Sequence, residues 1–177
     1  SETVAAFDHI CKGYAPDRPW QLRRLFGPDY TLACNRGKPD KCVAVRTAFA
    51  TIEGCDAASI AAHPESKDDP SGSAVCLDGL DGPDIPTCGK GARMAHAVLL
   101  LADGRRMSLV NLHGSSGLAA DDTACRRKQM QAIFAGLADV EGATGPGSAA
   151  PLVTEDLALL LGDINTDPVL FAGADQS

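Results

Sequence analysis

Two short stretches of this chain bring an acid, amides and an imidazole to places where apolar runs end. In Leu159-Leu160-Leu161-Gly162-Asp163-Ile164-Asn165-Thr166-Asp167-Pro168 the apolar run stops at a glycine and is followed by Asp163 and Asn165, two residues apart. Side chains alternate along a strand, so these two leave the same face. Upstream, Met107-Ser108-Leu109-Val110-Asn111-Leu112-His113 runs into the loop Gly114-Ser115-Ser116-Gly117, with Asn111 and His113 again two apart. Carboxylate, carboxamide and imidazole at one sheet edge form a polar cluster suited to a phosphate ester and a divalent cation. The carboxylate sets up the attacking water, and the imidazole titrates near neutrality and donates to an oxyanion. A neutral amide donor meets the charge that builds on phosphorus.

Each of these residues also has a plainer reading. Asp and Asn are turn formers, so Asp163 and Asn165 taken alone are a strand-to-turn cap. A histidine read alone is more often structural. Asn111 either contacts substrate or bonds to neighbouring backbone and holds the edge in place. Asp163-x-Asn165-x-Asp167 opens like an EF-hand, but the sixth position holds Pro168 where glycine is needed, and the twelfth holds Ala174 where glutamate is needed. The convergence of both stretches favours chemistry over the cap.

Val110-Asn111-Leu112-His113, an Arg126-x-x-Gln129 helix and Leu160-Leu161-Gly162-Asp163-Ile164-Asn165-x-Asp167-Pro168 together resemble the endonuclease/exonuclease/phosphatase superfamily. That group includes deoxyribonuclease I, secreted bacterial sphingomyelinases and inositol-polyphosphate phosphatases. The resemblance is clearest over residues 95–168 and weaker toward the start. It implies that His113 contacts the scissile phosphate and assists the leaving group, that Asp163 orients or deprotonates the water near the metal, and that Asn165 holds a phosphate oxygen. Arg126 and Gln129 look like supports that dock their helix and the loop before it. Glu2, just ahead of the first expected helix, matches the metal-binding glutamate, with Mg²⁺ (or Ca²⁺ or Mn²⁺) as its ion.

The implied fold is an α/β layered domain, part of a four-layer α/β/β/α sandwich of the deoxyribonuclease I type with mixed, largely antiparallel sheets. The superfamily also carries a late Asp-His pair whose histidine acts as base. His9, His63, His96 and His113 all precede Asp163, and no strand is readable ahead of Glu2. Residues 1–177 are therefore expected to be a single but incomplete domain, a segment of a larger catalytic unit; the start at Ser1 fits a processed or excised piece. The implied function is metal-dependent hydrolysis of phosphate esters, of a phosphodiesterase or nuclease-like kind, on nucleic acid or on a phospholipid or inositol head group. One rival is a secreted interaction module that keeps the fold without its full machinery. Another is a calcium-stabilised structural domain.

The elements that must position these residues follow from periodicity and turn chemistry. Val4, Phe7, Ile10 and Cys11 stand at helical spacing, so a helix is expected over residues 3–13, with Thr3 as cap and Gly13 as stop. Residues 20–26 read as another helical turn or two. Residues 30–34 and 42–46 flank a turn-rich stretch and predict a hairpin; residues 49–52 continue as a strand. Residues 63–93, rich in Gly, Pro and Asp, form a loop of about thirty residues, a length that is usually functional or disordered. Asp103-Gly104 between two apolar runs predicts a second hairpin. Asp121 or Asp122 caps the following helix, whose apolar stripe is Met130, Ile133, Phe134 and Leu137. Residues 141–151 are a loop. The unbroken run over 157–161 predicts a central strand buried on both faces.

Bulk properties set the bounds. The chain of 177 residues, with 45% hydrophobic and 22% charged content, lies in the range of soluble globular proteins with a real core. No apolar run approaches the ~20 residues of a membrane span, and no basic-then-apolar leader pattern is present. A formal charge of −7 argues against a general nucleic-acid coat protein, and less against a nuclease. Arg126, Arg127 and Lys128, or Arg23 and Arg24, are candidate phosphate-receiving patches, with a solvated helix face as the plainer reading. Seven cysteines without a C-x-x-C pair point to disulfides rather than zinc, hence to a secreted or extracytoplasmic protein. Local spacing suggests Cys34 with Cys42 and Cys76 with Cys88; Cys11, Cys55 and Cys125 stay unassigned. Oligomeric state has no signature in the sequence.

Overall fold

The first hairpin forms where turn-rich residues separate two apolar runs. β1 (Val4–Phe7), β2 (Tyr30–Asn35) and β3 (Lys38–Arg46) belong to the first sheet. β2 and β3 pair antiparallel with Tyr30 opposite Arg46 and Cys34 opposite Cys42, and Cys42 is disulfide-bonded. β1 pairs with the other side of β3, Val4 opposite Val45 and Phe7 opposite Cys42. The computed structural model describes residues 4–7, 26–27, 29–35, 38–55, 75–76, 80, 82–86, 88, 93–117 and 119–165.

The stretch expected to open as a helix therefore holds a strand. Val4-Ala5-Ala6-Phe7 suits either period, and pairing along β3 decides for the sheet, because tertiary contacts outweigh weak local propensity. The remainder of residues 3–13, Glu2, and residues 20–25 lie outside the described residues. The 63–93 stretch contributes β5 (Val75–Cys76), parallel to β2 with Ala33 opposite Cys76. The first sheet thus runs β1-β3-β2-β5.

The second sheet carries the candidate chemistry. β4 (Ala50–Ile52), β6 (Met94–Leu101) and β7 (Arg106–His113) are antiparallel, and β8 (Leu157–Asp163) lies parallel to β7. The predicted Asp103-Gly104 turn joins β6 to β7, with Gly104 at φ 85°, a left-handed value that glycine takes without a Cβ clash. A parallel β7–β8 pair needs a crossover, which residues 114–156 supply with α1 (Ala120–Phe134). Ser108, fully buried, accepts the N–H groups of Thr154 and Glu155 at 3.1 and 3.2 Å and so fixes the approach to β8. At the start of β7, exposed Arg106 reaches both Glu53 and Glu155. Its hydrogen bonds hold the Glu53 carboxyl below the ordinary carboxylate value.

Among the described residues β8 is an edge strand, in the order β4-β6-β7-β8, and it is only half-buried. The expected central strand is corrected here. A continuous apolar run reports that both faces touch something apolar, not that both edges are paired. Two apolar clusters explain the run. Leu157, Leu159 and Leu161 pack on a core that also holds Ala33, Val43 and Val45 of the first sheet with Ile52, Leu99 and Leu109 of the second. Leu160 packs on a second core, where Met94, Val110 and Leu112 meet Ala132 and Ile133 of α1. The described residues thus stack as sheet, sheet and helix, a mixed α/β arrangement in the α+β class.

Two details of α1 differ from expectation. Its N-cap is Ala119, with no side-chain cap, and Asp121 and Asp122 lie inside the first turn. In the predicted stripe Ile133 and Leu137 are buried and Met130 packs beside them, but Phe134 is 61% exposed at the last helical position. Cys88 bonds to Cys125 rather than to Cys76, with Cα atoms 5.1 Å apart. Cys76 belongs to the first sheet, whereas Cys88 packs against the core under α1. Turn-rich spacing alone could not see that separation. Cys55 is half-buried and packs against the inter-sheet core. No helix among the described residues is long and apolar enough to cross a membrane.

Candidate active site

Register brings the two predicted stretches together. His113 and Asp163 are partners at the C-terminal ends of the parallel strands β7 and β8. Strand alternation gives their direction. Met107 and Leu109 on β7, and Leu157, Leu159 and Leu161 on β8, face the core between the sheets, so His113 and Asp163 share that face one step past the core. His113 is half-buried and Asp163 is exposed. The imidazole and carboxylate therefore stand side by side at the strand-end rim of the second sheet.

Asn111, two residues inside His113, is fully buried and donates through Nδ2 to the Cys42 carbonyl at 3.1 Å. It ties the second sheet to the first directly below the rim. Of its two readings, the geometry supplies the supporting one.

The strand ends are locked by a short set of bonds. The Gly114 N–H donates to the Asp163 carbonyl at 2.7 Å. Asn165 Nδ2 donates to the Gly114 carbonyl at 2.8 Å, and the Asn165 N–H donates to Asp163 Oδ1 at 2.8 Å. Asn165 sits at φ 51°, in the left-handed region that asparagine tolerates better than most residues. The strand-to-turn cap is thus present, and it is built from the same two residues that could act on a phosphate. A carboxylate has a second oxygen and a carboxamide a second N–H, so capping does not exhaust either group.

Glycine makes the close approach possible. Gly162 has φ 112°, and a Cβ there would overlap the Leu112 carbonyl oxygen; a Cβ on Gly114 would overlap that of Ile164.

α1 holds the loop after His113. Gln129, fully buried, donates to the His113 carbonyl at 3.3 Å. Arg126 Nη1 donates to the carbonyls of Ser115 and Gly117 at 2.5 and 2.7 Å, and Nη2 to Thr123 Oγ1 at 3.1 Å. Arg126 is turned inward, so it does not serve as an open phosphate-receiving cation; Arg127 is exposed. Sequence reasoning missed the Ser115 hydroxyl donating to Asp122 Oδ1 at 2.6 Å. Nothing in a Gly-Ser-Ser-Gly loop names its partner.

A hard cation such as Mg²⁺ asks for one or two carboxylates and fills its other positions with water and substrate oxygens. Exposed Asp163 offers one such carboxylate. Among the described residues no group of three His, Cys, Asp or Glu side chains gathers to make a closed cage. Glu2, Arg23, Arg24 and Asp167 lie outside them. A single exposed carboxylate of this kind is compatible with a cation whose other positions are filled by water and substrate oxygens. Neither a protein-family model, nor a curated protein, nor a solved structure matches this chain.

Proposed function

We infer that the protein is a metal-dependent phosphodiesterase or nuclease-like hydrolase of the endonuclease/exonuclease/phosphatase type. The observation that carries this reading is the register pairing of His113 with Asp163 on one face of parallel strand ends. In this reading Asp163 orients and deprotonates the attacking water. His113 donates to a phosphoryl oxygen and assists the leaving group. The second N–H of Asn165 meets the charge on the equatorial oxygens, an electrostatic contribution that usually dominates such sites. Asn111 holds the rim rather than meeting the substrate. Mg²⁺, held by Glu2 with help from Asp163, would supply Lewis-acid polarisation of the phosphoryl group.

The sheet, sheet and helix layers belong, in the same proposal, to a four-layer α/β/β/α sandwich. Disulfide bonding at Cys42, Cys88 and Cys125 supports an extracytoplasmic, oxidising site of action.

The test is hydrolysis of a chromogenic phosphodiester, plasmid DNA and a choline phospholipid with Mg²⁺ present. His113→Ala and Asp163→Ala are each expected to lower turnover by roughly 10³-fold or more, in line with loss of a member of a catalytic unit, with the circular-dichroism spectrum unchanged. Wild-type turnover in either folded variant would falsify the assignment.

A further inference from the structure

Within residues 120–128 of α1 Cys125 is the single buried side chain, 2% exposed. The apolar residues that seat the helix, Ala132 and Ile133, lie in its second half, with Leu137 just beyond it. The first half is held differently. Asp122 and Arg126 bond to residues 115–117, and the Cys88–Cys125 disulfide joins the helix to the segment beneath. Cys125 stands three residues after Asp122, directly before Arg126, and one turn before Gln129, which holds the His113 carbonyl. The bonds from Asp122, Arg126 and Gln129 to residues 113–117 thus leave the helix within about one turn of this bridge.

Resting on the hydrolase reading of the rim, we propose that the Cys88–Cys125 disulfide is a redox-sensitive pin that positions His113. Reduction frees the first half of α1 and slackens the 114–117 loop, while the core beneath the second half keeps the fold. Cys88 is the half-buried partner, so an external thiolate enters at its sulfur. The exchange is balanced. Two small thiols give up two electrons and two protons, the Cys88–Cys125 bond breaks to two protein thiols, and the small thiols leave joined as a disulfide. Cys88 and Cys125 are positioning residues in this scheme, acting through α1 and touching no substrate.

The full chain is to be assayed oxidised, after treatment with dithiothreitol, and after reoxidation with oxidised glutathione, beside the double variant Cys88→Ser/Cys125→Ser. That variant removes this bridge alone and so separates it from the one at Cys42. Turnover in the variant is expected to fall roughly 10- to 100-fold at similar KM, the scale of a small misplacement of a reacting group. Wild type should lose activity on reduction and regain it on reoxidation. Hydrogen exchange supplies a readout apart from activity: the Gly114 amide, bonded to the Asp163 carbonyl, should exchange faster without the bridge, and the β6 amides should not. Unchanged Gly114 exchange in a folded variant, or unchanged turnover, overturns the pin. If the oxidised protein hydrolyses nothing while Gly114 exchange still responds, the hydrolase reading fails and the mechanical link stands.

Discussion

At the scale of single residues, Asn165 is where structure and chemistry overlap. Its side chain caps the Gly114 carbonyl and its backbone is left-handed, which would be sufficient reason for an asparagine here even without a substrate. Replacement by glycine keeps the left-handed backbone but removes the amide, and with it both the Gly114 cap and the proposed phosphate contact. We expect Asn165→Gly to lower kcat roughly 10²-fold, as loss of one oxyanion donor does, with the melting temperature lowered only by the loss of one hydrogen bond, about 1 kcal/mol. Steady-state kinetics beside a thermal melt would check this; undiminished kcat would leave Asn165 as a cap and nothing more. His113 and Asp163 were legible in the sequence because each closes an apolar strand run, whereas Asn165 lies past β8 in a left-handed turn and Asn111 is buried below the strand ends, so strand spacing alone did not place those two. The grip of Arg126 on the loop carbonyls followed only from the resemblance, since a basic helix face reads the same whether it turns inward or outward. The Ser115–Asp122 bond left no trace, because it depends on how the loop folds back over the first turn of α1.

At the scale of elements, the rim depends on how closely β8 approaches β7. Gly162 permits it, with φ 112° and no room for a Cβ beside the Leu112 carbonyl. Gly162→Ala should cost about 1–3 kcal/mol for the backbone conformation alone, and more for the overlap, read as a lower urea midpoint. It should also weaken hydrolysis by prising Asp163 from His113, whereas a variant of native stability and turnover would show that β8 slides without penalty. The β6–β7 hairpin was readable because Asp-Gly between apolar runs demands one kind of turn. β8 misled because it touches both apolar cores while only one of its edges is paired among the described residues. β1 misled for a related reason: Val4 and Phe7 fit a helical stripe, yet the chain could use the open side of β3. Cysteine spacing along the chain favoured Cys76 for Cys88, but Cys76 belongs to the first sheet while Cys88 packs on the core beneath α1.

At the scale of the whole molecule, the second sheet is packed on both faces, so Leu109 and Val110 belong to different cores although they are neighbours. Such a sheet has little freedom to flex, because close-packed interiors transmit displacement rather than absorb it. The Asn111–Cys42 bond then ties the two sheets together just beneath the strand ends where His113 and Asp163 stand. A rim of this kind can orient a phosphate ester, but its single described carboxylate cannot by itself cage a cation. If Mg²⁺ serves the reaction, its remaining positions go to Glu2, water and substrate oxygens. The expected consequence is an ion needed for turnover but contributing little to the fold. Excess EDTA should abolish hydrolysis, added Mg²⁺ should restore it, and the melting temperature should barely move in either step. Glu2→Gln should raise the Mg²⁺ concentration for half-maximal activity roughly tenfold or more, since even partners that only orient a metal ligand carry effects of that size. Full turnover in EDTA would remove the metal from the proposal, while an unaltered Mg²⁺ requirement in Glu2→Gln would transfer the ligand role to another carboxylate and leave the pairing of His113 with Asp163 to be judged by its own variants.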